Sequence, residues 1–192
     1  WALPGAAARP VALTSERADT LFMWAADHRL GGLLWAALDG GAITLVPADI
    51  ERARNLQLGE LRRTLRIEAT AAQVVEALAE AGVSSRLLKG LAAGHLDYPD
   101  PAWRNSVDTD VLIGRGDLTR ALETLAGLGI SRTRPGLAPW WERRFARTVE
   151  LSSPAGVEVD LHMALAVGWF GVRLDHDHLL ALPADTFDLG GV

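Results

Sequence analysis

Apolar residues recur at helical spacing through most of the first eighty positions. Ala18, Leu21, Phe22 and Ala25 share one face of a segment from Ser15 to His28, with Thr14 or Ser15 as its cap. Gly31-Gly32 interrupts this pattern, and Leu33 to Leu38 forms another short apolar turn before the loop at Asp39-Gly40-Gly41. A long helix is predicted from Pro47 to Glu80, with proline in its first turn and Gly82 as its stop. Its expected apolar positions are Ile50, Leu58, Leu61, Leu65, Val74, Val75 and Leu78, and Gly59 is the point where it would divide.

The period then shortens. Val83 to Leu88 reads as a strand running into a tight turn at Lys89-Gly90, and Leu91 to Leu96 as a short helix. Ser106 to Ile113 alternates and then becomes wholly apolar, which predicts a buried strand. Asp117 caps an amphipathic helix carrying Leu118, Ala121, Leu122 and Leu125. Residues 131 to 146 are polar and aromatic, with no assigned element. Thr148 to Leu151 and Val157 to Leu161 read as two strands joined by the turn Ser152 to Gly156. The outline is a helical N-terminal region over residues 1–80 followed by a mixed α/β part over 81–192.

Asp108-Thr109-Asp110 opens the buried strand. Residues i and i+2 of a strand point to the same face, so the two carboxylates lie side by side and repel each other unless a cation sits between them. Mg²⁺ suits such a pair, since it takes hard oxygen ligands and bridges carboxylates to phosphates. A lone Asp-x-Asp is more often a solvated strand end. The hairpin changes that weighting: Glu158, Asp160 and His162 share one face of its second strand, and Asp160 could meet the aspartate pair if the strands are neighbours. Lys89-Gly90 forms a turn where the backbone can approach phosphate, and Arg104 and Ser106 precede the aspartates as potential phosphate donors.

Composition sharpens one residue. Of the 19 basic side chains, Lys89 is the only lysine, which marks a position suited to a compact ammonium rather than a planar fork. The chain has no cysteine, which excludes disulfides and thiolate metal sites and is compatible with a cytoplasmic setting. A net charge of −5 argues against a large nucleic-acid footprint, although a local basic groove is compatible with it. No apolar run approaches membrane-spanning length.

The ordered blocks Leu87-Leu88-Lys89-Gly90-Leu91-Ala92, Tyr98-Pro99-Asp100-Pro101 and Arg104-Asn105-Ser106-Val107-Asp108-Thr109-Asp110-Val111-Leu112-Ile113, followed by Val159-Asp160-Leu161-His162, resemble the uncharacterised bacterial nucleotidyltransferase family of the polymerase-β-like superfamily. The resemblance runs from about residue 15 to 165. It implies an α+β nucleotidyltransferase fold, a small mixed sheet with flanking helices preceded by a helical N-terminal region. It also implies Mg²⁺-dependent (or Mn²⁺-dependent) transfer of a nucleoside monophosphate from a triphosphate, ATP being the guess, with pyrophosphate release. Asp108, Asp110 and Asp160 fall on the metal-binding and catalytic carboxylates. Lys89, Gly90, Arg104, Ser106 and His162 are the nucleotide-binding candidates. Thr109 stands where the family usually has an apolar residue and Met163 where it commonly has tryptophan; neither departure removes a ligand. A helical C-terminal region usual in the family is expected to be truncated here.

The acceptor stays open among small molecule, peptide, protein and RNA, with neither DNA nor membrane expected as a partner. Two other readings stand beside the enzyme: a catalytically silent nucleotide-binding module, and a toxin-like enzyme acting on tRNA. Trp103 and Tyr98 could stack on a base, although aromatic packing in a loop is commoner, and Trp140-Trp141 with Arg143, Arg144 and Arg147 could form an aromatic-basic acceptor surface or a helix covering the sheet. Asp175-His176-Asp177-His178 is a weaker metal candidate, because alternating residues in a polar loop are usually solvated.

Overall fold

The computed structural model describes residues 10–165 and 176–189. Helices α1 (Ser15–Asp27) and α2 (Gly31–Asp39) pack with α3 (Pro47–Glu80), and the short strands β1 (Val11–Ala12) and β2 (Ile43–Thr44) pair in parallel beside them. There follow β3 (Ser85–Leu87), α4 (Lys89–Asp97), β4 (Asp108–Ile113), α5 (Leu118–Gly127), β5 (Ser131–Arg132), α6 (Pro139–Phe145), β6 (Thr148–Ser152), β7 (Glu158–His162) and α7 (His176–Ala181). The expected α+β arrangement is what is found: helices first, then a five-stranded mixed sheet in the order β3-β4-β7-β6-β5. Only β4 and β7 run parallel, and every other pairing in that sheet is antiparallel.

The sheet's core face is built by alternation. Val111, Ile113, Val149, Leu151, Val159 and Leu161 pack against Val74 and Leu78 of α3 and Leu118, Ala121 and Leu125 of α5. Each fully buried side chain of this kind contributes about 1.5–3 kcal/mol. A second cluster joins Ala18, Phe22 and Ala25 of α1 to Leu34 of α2 and Ala53 of α3. The long helix thus serves both clusters, and it is unbroken at Gly59, which has open space around its Cα. Its buried face differs from the expected one. Ile50 and Leu65 are exposed, whereas Ala53, Thr64, Thr70, Ala71 and Ala72 are buried, because close approach of neighbouring elements favours small side chains.

Several boundaries shift. Neither Thr14 nor Asp117 makes a side-chain capping bond, and Asp117 sits in a 3-10 turn (Arg115–Asp117) ahead of α5. Gly31 and Gly32 open α2 rather than simply interrupting a helix, since both must be small. A Cβ on Gly32 would fall 2.1 Å from the Ala102 carbonyl oxygen, and one on Gly31 would fall 2.6 Å from Glu60 Oε2. Asn105 completes this junction by donating to Glu60 and to the Arg29 carbonyl, and by accepting from Thr64. The segment preceding the aspartates is thereby fastened to the N-terminal helices. The stretch without an assigned element contains β5 and α6, held together where Arg132 donates twice to Glu142, at 3.0 and 2.8 Å.

Candidate active site

The parallel pairing of β4 with β7 sets the register on which the site depends. Asp108 stands opposite Glu158, Asp110 opposite Asp160, and Leu112 opposite His162, so the carboxylates of both strands share the face turned away from the main core. The ligand atoms of Asp110, Asp160 and His162 all lie within 4.8 Å of one another, which makes them the group able to hold a metal ion among the described residues. Asp108, two positions earlier on the same face, stands outside that tight group but within its electrostatic field.

Asp110 is the centre of the arrangement. It is only 4% exposed, and its Oδ1 accepts from Lys89 Nζ at 2.5 Å and lies 2.6 Å from His162 Nε2. Burial is the largest single influence and pushes its carboxyl up. The hydrogen bonds and charges of His162 and Lys89 together outweigh burial and hold it below the ordinary aspartate range. Asp108 and Asp160 go the other way. Burial raises both, and the neighbouring Asp110 charge adds to the rise, against the lowering effect of Lys89 on Asp108 and of His162 on Asp160. Two half-buried acids that resist ionisation beside a third that is ionised describe a place short of positive charge.

His162 is buried and engaged at both ring nitrogens, with Thr148 Oγ1 3.1 Å from Nδ1 and Asp110 at Nε2. Thr148 belongs to none of the motifs that mark the site in the sequence. The hairpin carries the signal that finds it, because the β6–β7 register pairs Thr148 with His162 and Glu150 with Asp160 at equal distances from the turn.

Lys89 is the first residue of α4 and adopts a positive φ of 53°, which glycine would tolerate better than lysine. Its strained backbone places the only lysine against Asp110. Leu88, just before it, provides no side-chain cap for the first N–H groups of α4. Gly90 is tightly constrained: a Cβ there would stand 3.1 Å from Ser106 Oγ. That hydroxyl is buried and has no hydrogen-bond partner among the described residues, which is unusual for a buried polar atom and suits a missing acceptor.

Arg104 is not brought to the cluster. Its guanidinium donates to the Asn105 carbonyl at 2.9 Å, and its stem lies against Gly94. Thr109 is completely buried with no hydrogen-bond partner for its hydroxyl among the described residues, and Met163 is completely buried in the core. Of the weaker metal candidate, Asp175 and the side chains of His176 and Asp177 lie outside the described residues. No helix among the described residues is long and apolar enough to cross a membrane.

A family model described as "Uncharacterised nucleotidyltransferase" matches residues 14–191. No curated protein and no solved structure matches the chain.

Proposed function

Because this chain belongs to the uncharacterised nucleotidyltransferase family, a transferase family matched along most of its length, we propose that it moves a nucleoside monophosphate from a nucleoside triphosphate to an acceptor hydroxyl. The observation that carries this reading is the convergence of Asp110, Asp160 and His162 from two parallel strands, with Asp108 beside them. The donor set fits a divalent cation. Carboxylate oxygens suit Mg²⁺ and Mn²⁺. Asp108, Asp110 and Asp160 would hold it. When bound, the cation neutralises the triphosphate and the charge that develops on the leaving oxygen.

The chain's own residues supply the rest. The uncapped start of α4, the Lys89 ammonium and the unpartnered Ser106 hydroxyl form a cradle for phosphate oxygens, with Gly90 keeping it open. His162, steadied by Thr148, fixes the orientation of Asp110. The acceptor oxygen forms a bond to the α-phosphorus while the bond from that phosphorus to the bridging oxygen breaks. Pyrophosphate leaves with the electron pair, and the acceptor's proton passes to Asp160, whose carboxylate lines the hollow beside the site. ATP is the first nucleotide to test.

Pyrophosphate release with each triphosphate and Mg²⁺ or Mn²⁺, in the presence of pooled cellular acceptors, tests the reading. Asp110→Ala is expected to lower turnover about a hundredfold to a thousandfold, in line with the loss of a group that stabilises developing charge. Metal-dependent turnover that survives in Asp110→Ala would overturn it.

A further inference from the structure

Next to the carboxylates, between β5, β6 and α6, lies a cleft of about 430 Å³ whose walls include Arg134, Trp141, Phe145, Arg147, Thr148 and Glu150. A smaller hollow of about 320 Å³, lined by Glu158 and Asp160, shares Thr133, Arg134 and Glu150 with it. These shared residues set the two spaces side by side, one reaching the exposed aromatic rings of α6 and the other Asp160. Thr148, on the cleft wall, is the residue that holds His162.

The two spaces are graded in chemistry. At the outer end Trp141 and Phe145 are 38% and 55% exposed, with ring centroids 5.5 Å apart and planes inclined by 48°. Large apolar rings left exposed beside a reaction centre leave ligand area uncovered. Of the five arginines between Ser131 and Arg147, Arg132, Arg134 and Arg147 line the cleft, together with Glu142 and Glu150. Arg132 is committed to Glu142. Arg134 is largely exposed and only loosely paired with Glu150, at 3.6 Å. The inner end is acidic, with Glu150, Glu158 and Asp160.

The wall is held in place relative to the site. Arg115 donates to the Ala146 carbonyl at 2.9 Å and contacts the Met163 carbonyl at 3.4 Å, and the Met163 N–H donates to the Arg147 carbonyl at 2.7 Å. The end of α6 is thus fixed to the end of the strand that carries Asp160.

We propose that this cleft is the acceptor site and that it receives the 3′ end of a single-stranded nucleic acid. Bases stack on Trp141 and Phe145, and backbone phosphates meet Arg134 and Arg147. The terminal hydroxyl reaches Asp160, beyond the last phosphate, where the acidic lining repels no further backbone. Aromatic faces alternating with guanidinium groups bind single strands by stacking and charge, largely independent of base identity. In the reaction the terminal hydroxyl oxygen forms the new bond to the α-phosphorus, pyrophosphate departs, and the strand grows by one nucleotide. The reaction part rests on the proposed function; the binding part does not.

Fluorescence anisotropy with labelled eight-residue oligo-uridylate and oligo-thymidylate, at low and moderate salt, tests the site. Wild-type protein is expected to bind with an affinity that falls as salt rises. Trp141→Ala/Phe145→Ala should weaken binding about tenfold or more. Arg134→Gln/Arg147→Gln alters two side chains of the cleft wall without touching the aromatic packing of α6. It should weaken binding and reduce the slope of affinity against salt, by about one for each phosphate no longer neutralised. Trp140→Ala, on the same helix but outside the cleft, should leave binding unchanged. Comparing the two oligomers shows which sugar is preferred. Absence of salt-dependent binding, or binding that both cleft variants leave intact, would overturn the proposal. Asp110→Asn separates the two readings, since it should abolish transfer while oligomer binding persists. Oligomer binding with no nucleotide transfer by wild-type protein would defeat the proposed chemistry alone. Pyrophosphate release without oligomer binding would defeat the acceptor assignment alone.

Discussion

The two faces of the β4–β7 pair are built from alternate residues of the same short strands, yet they obey opposite rules. On one face Val111, Ile113, Val159 and Leu161 are fully buried and surrounded by apolar neighbours. On the other, Asp108, Asp110, Asp160 and His162 stand within one another's electrostatic reach, with the Lys89 ammonium against Asp110. The apolar face stabilises the protein in proportion to the area it removes from water. The acidic face costs stability as long as its like charges lack a compensating cation. A strand pair that tolerates such an arrangement has its register specified by the first face, because slipping by one residue would exchange the two.

The largest expected effect separates stability from activity on the acidic face. Folding raises the pKa of Asp108 and Asp160, so each favours the folded state fully below the ordinary aspartate value. That contribution is lost as pH rises through the raised folded pKa. At neutral pH Asp108→Asn and Asp160→Asn should therefore unfold at a higher temperature than the wild type without added metal, while losing turnover. A divalent cation should raise the melting temperature of the wild type more than that of either variant. Thermal denaturation with and without Mg²⁺ or Mn²⁺ checks both expectations; equal metal responses would remove the acidic face from the metal site.

A smaller effect belongs to α6, whose anchoring resembles that of neither face. Burial raises the Glu142 carboxyl, but Arg132 and the Leu137 N–H more than offset it, and the group ends below the ordinary glutamate range. Its contribution is fully present above the unfolded glutamate pKa and is lost as pH falls through the lower folded value. Glu142→Gln should cost about 2 kcal/mol at neutral pH, as expected for hydrogen bonds to a charged group. The difference from wild type should shrink in acid. Denaturant titrations at several pH values measure it, and a pH-independent difference would contradict the assignment.

The smallest effect lies on the core face itself. Thr109 is completely buried, and its hydroxyl has no hydrogen-bond partner among the described residues. Thr109→Val removes that unsatisfied group and should stabilise the protein by about 1 kcal/mol, with turnover unchanged. Equilibrium unfolding of the variant checks this; a loss of stability would mean that the hydroxyl is needed.

Much of this contrast is legible in the sequence, because alternation is a local signal. The strands of Asp108, Asp110 and Asp160, and the amphipathic helix after Asp117, follow from spacing alone. Strand adjacency is not local. That β4 and β7 are parallel neighbours depends on a connection through α5, β5, α6 and β6, and only that pairing makes His162 part of the tight group. The stretch of residues 131 to 146 is illegible for another reason. Its helix is short, its aromatics are exposed, and its fixed point is the pair of Arg132 with Glu142, ten residues apart. Likewise the exposed Leu65 and the buried Thr64 reverse hydropathy, because Thr64 bonds Asn105 at the junction between the helices and the sheet.

Anomalous diffraction from crystals soaked in Mn²⁺, with and without a non-hydrolysable nucleoside triphosphate, tests the central claim most directly. The expected result is a metal peak in contact with the carboxylates of Asp110 and Asp160, with the nucleotide's phosphates running toward Ser106 and the start of α4. A metal bound elsewhere, with this carboxylate pair empty in the presence of nucleotide, would contradict it.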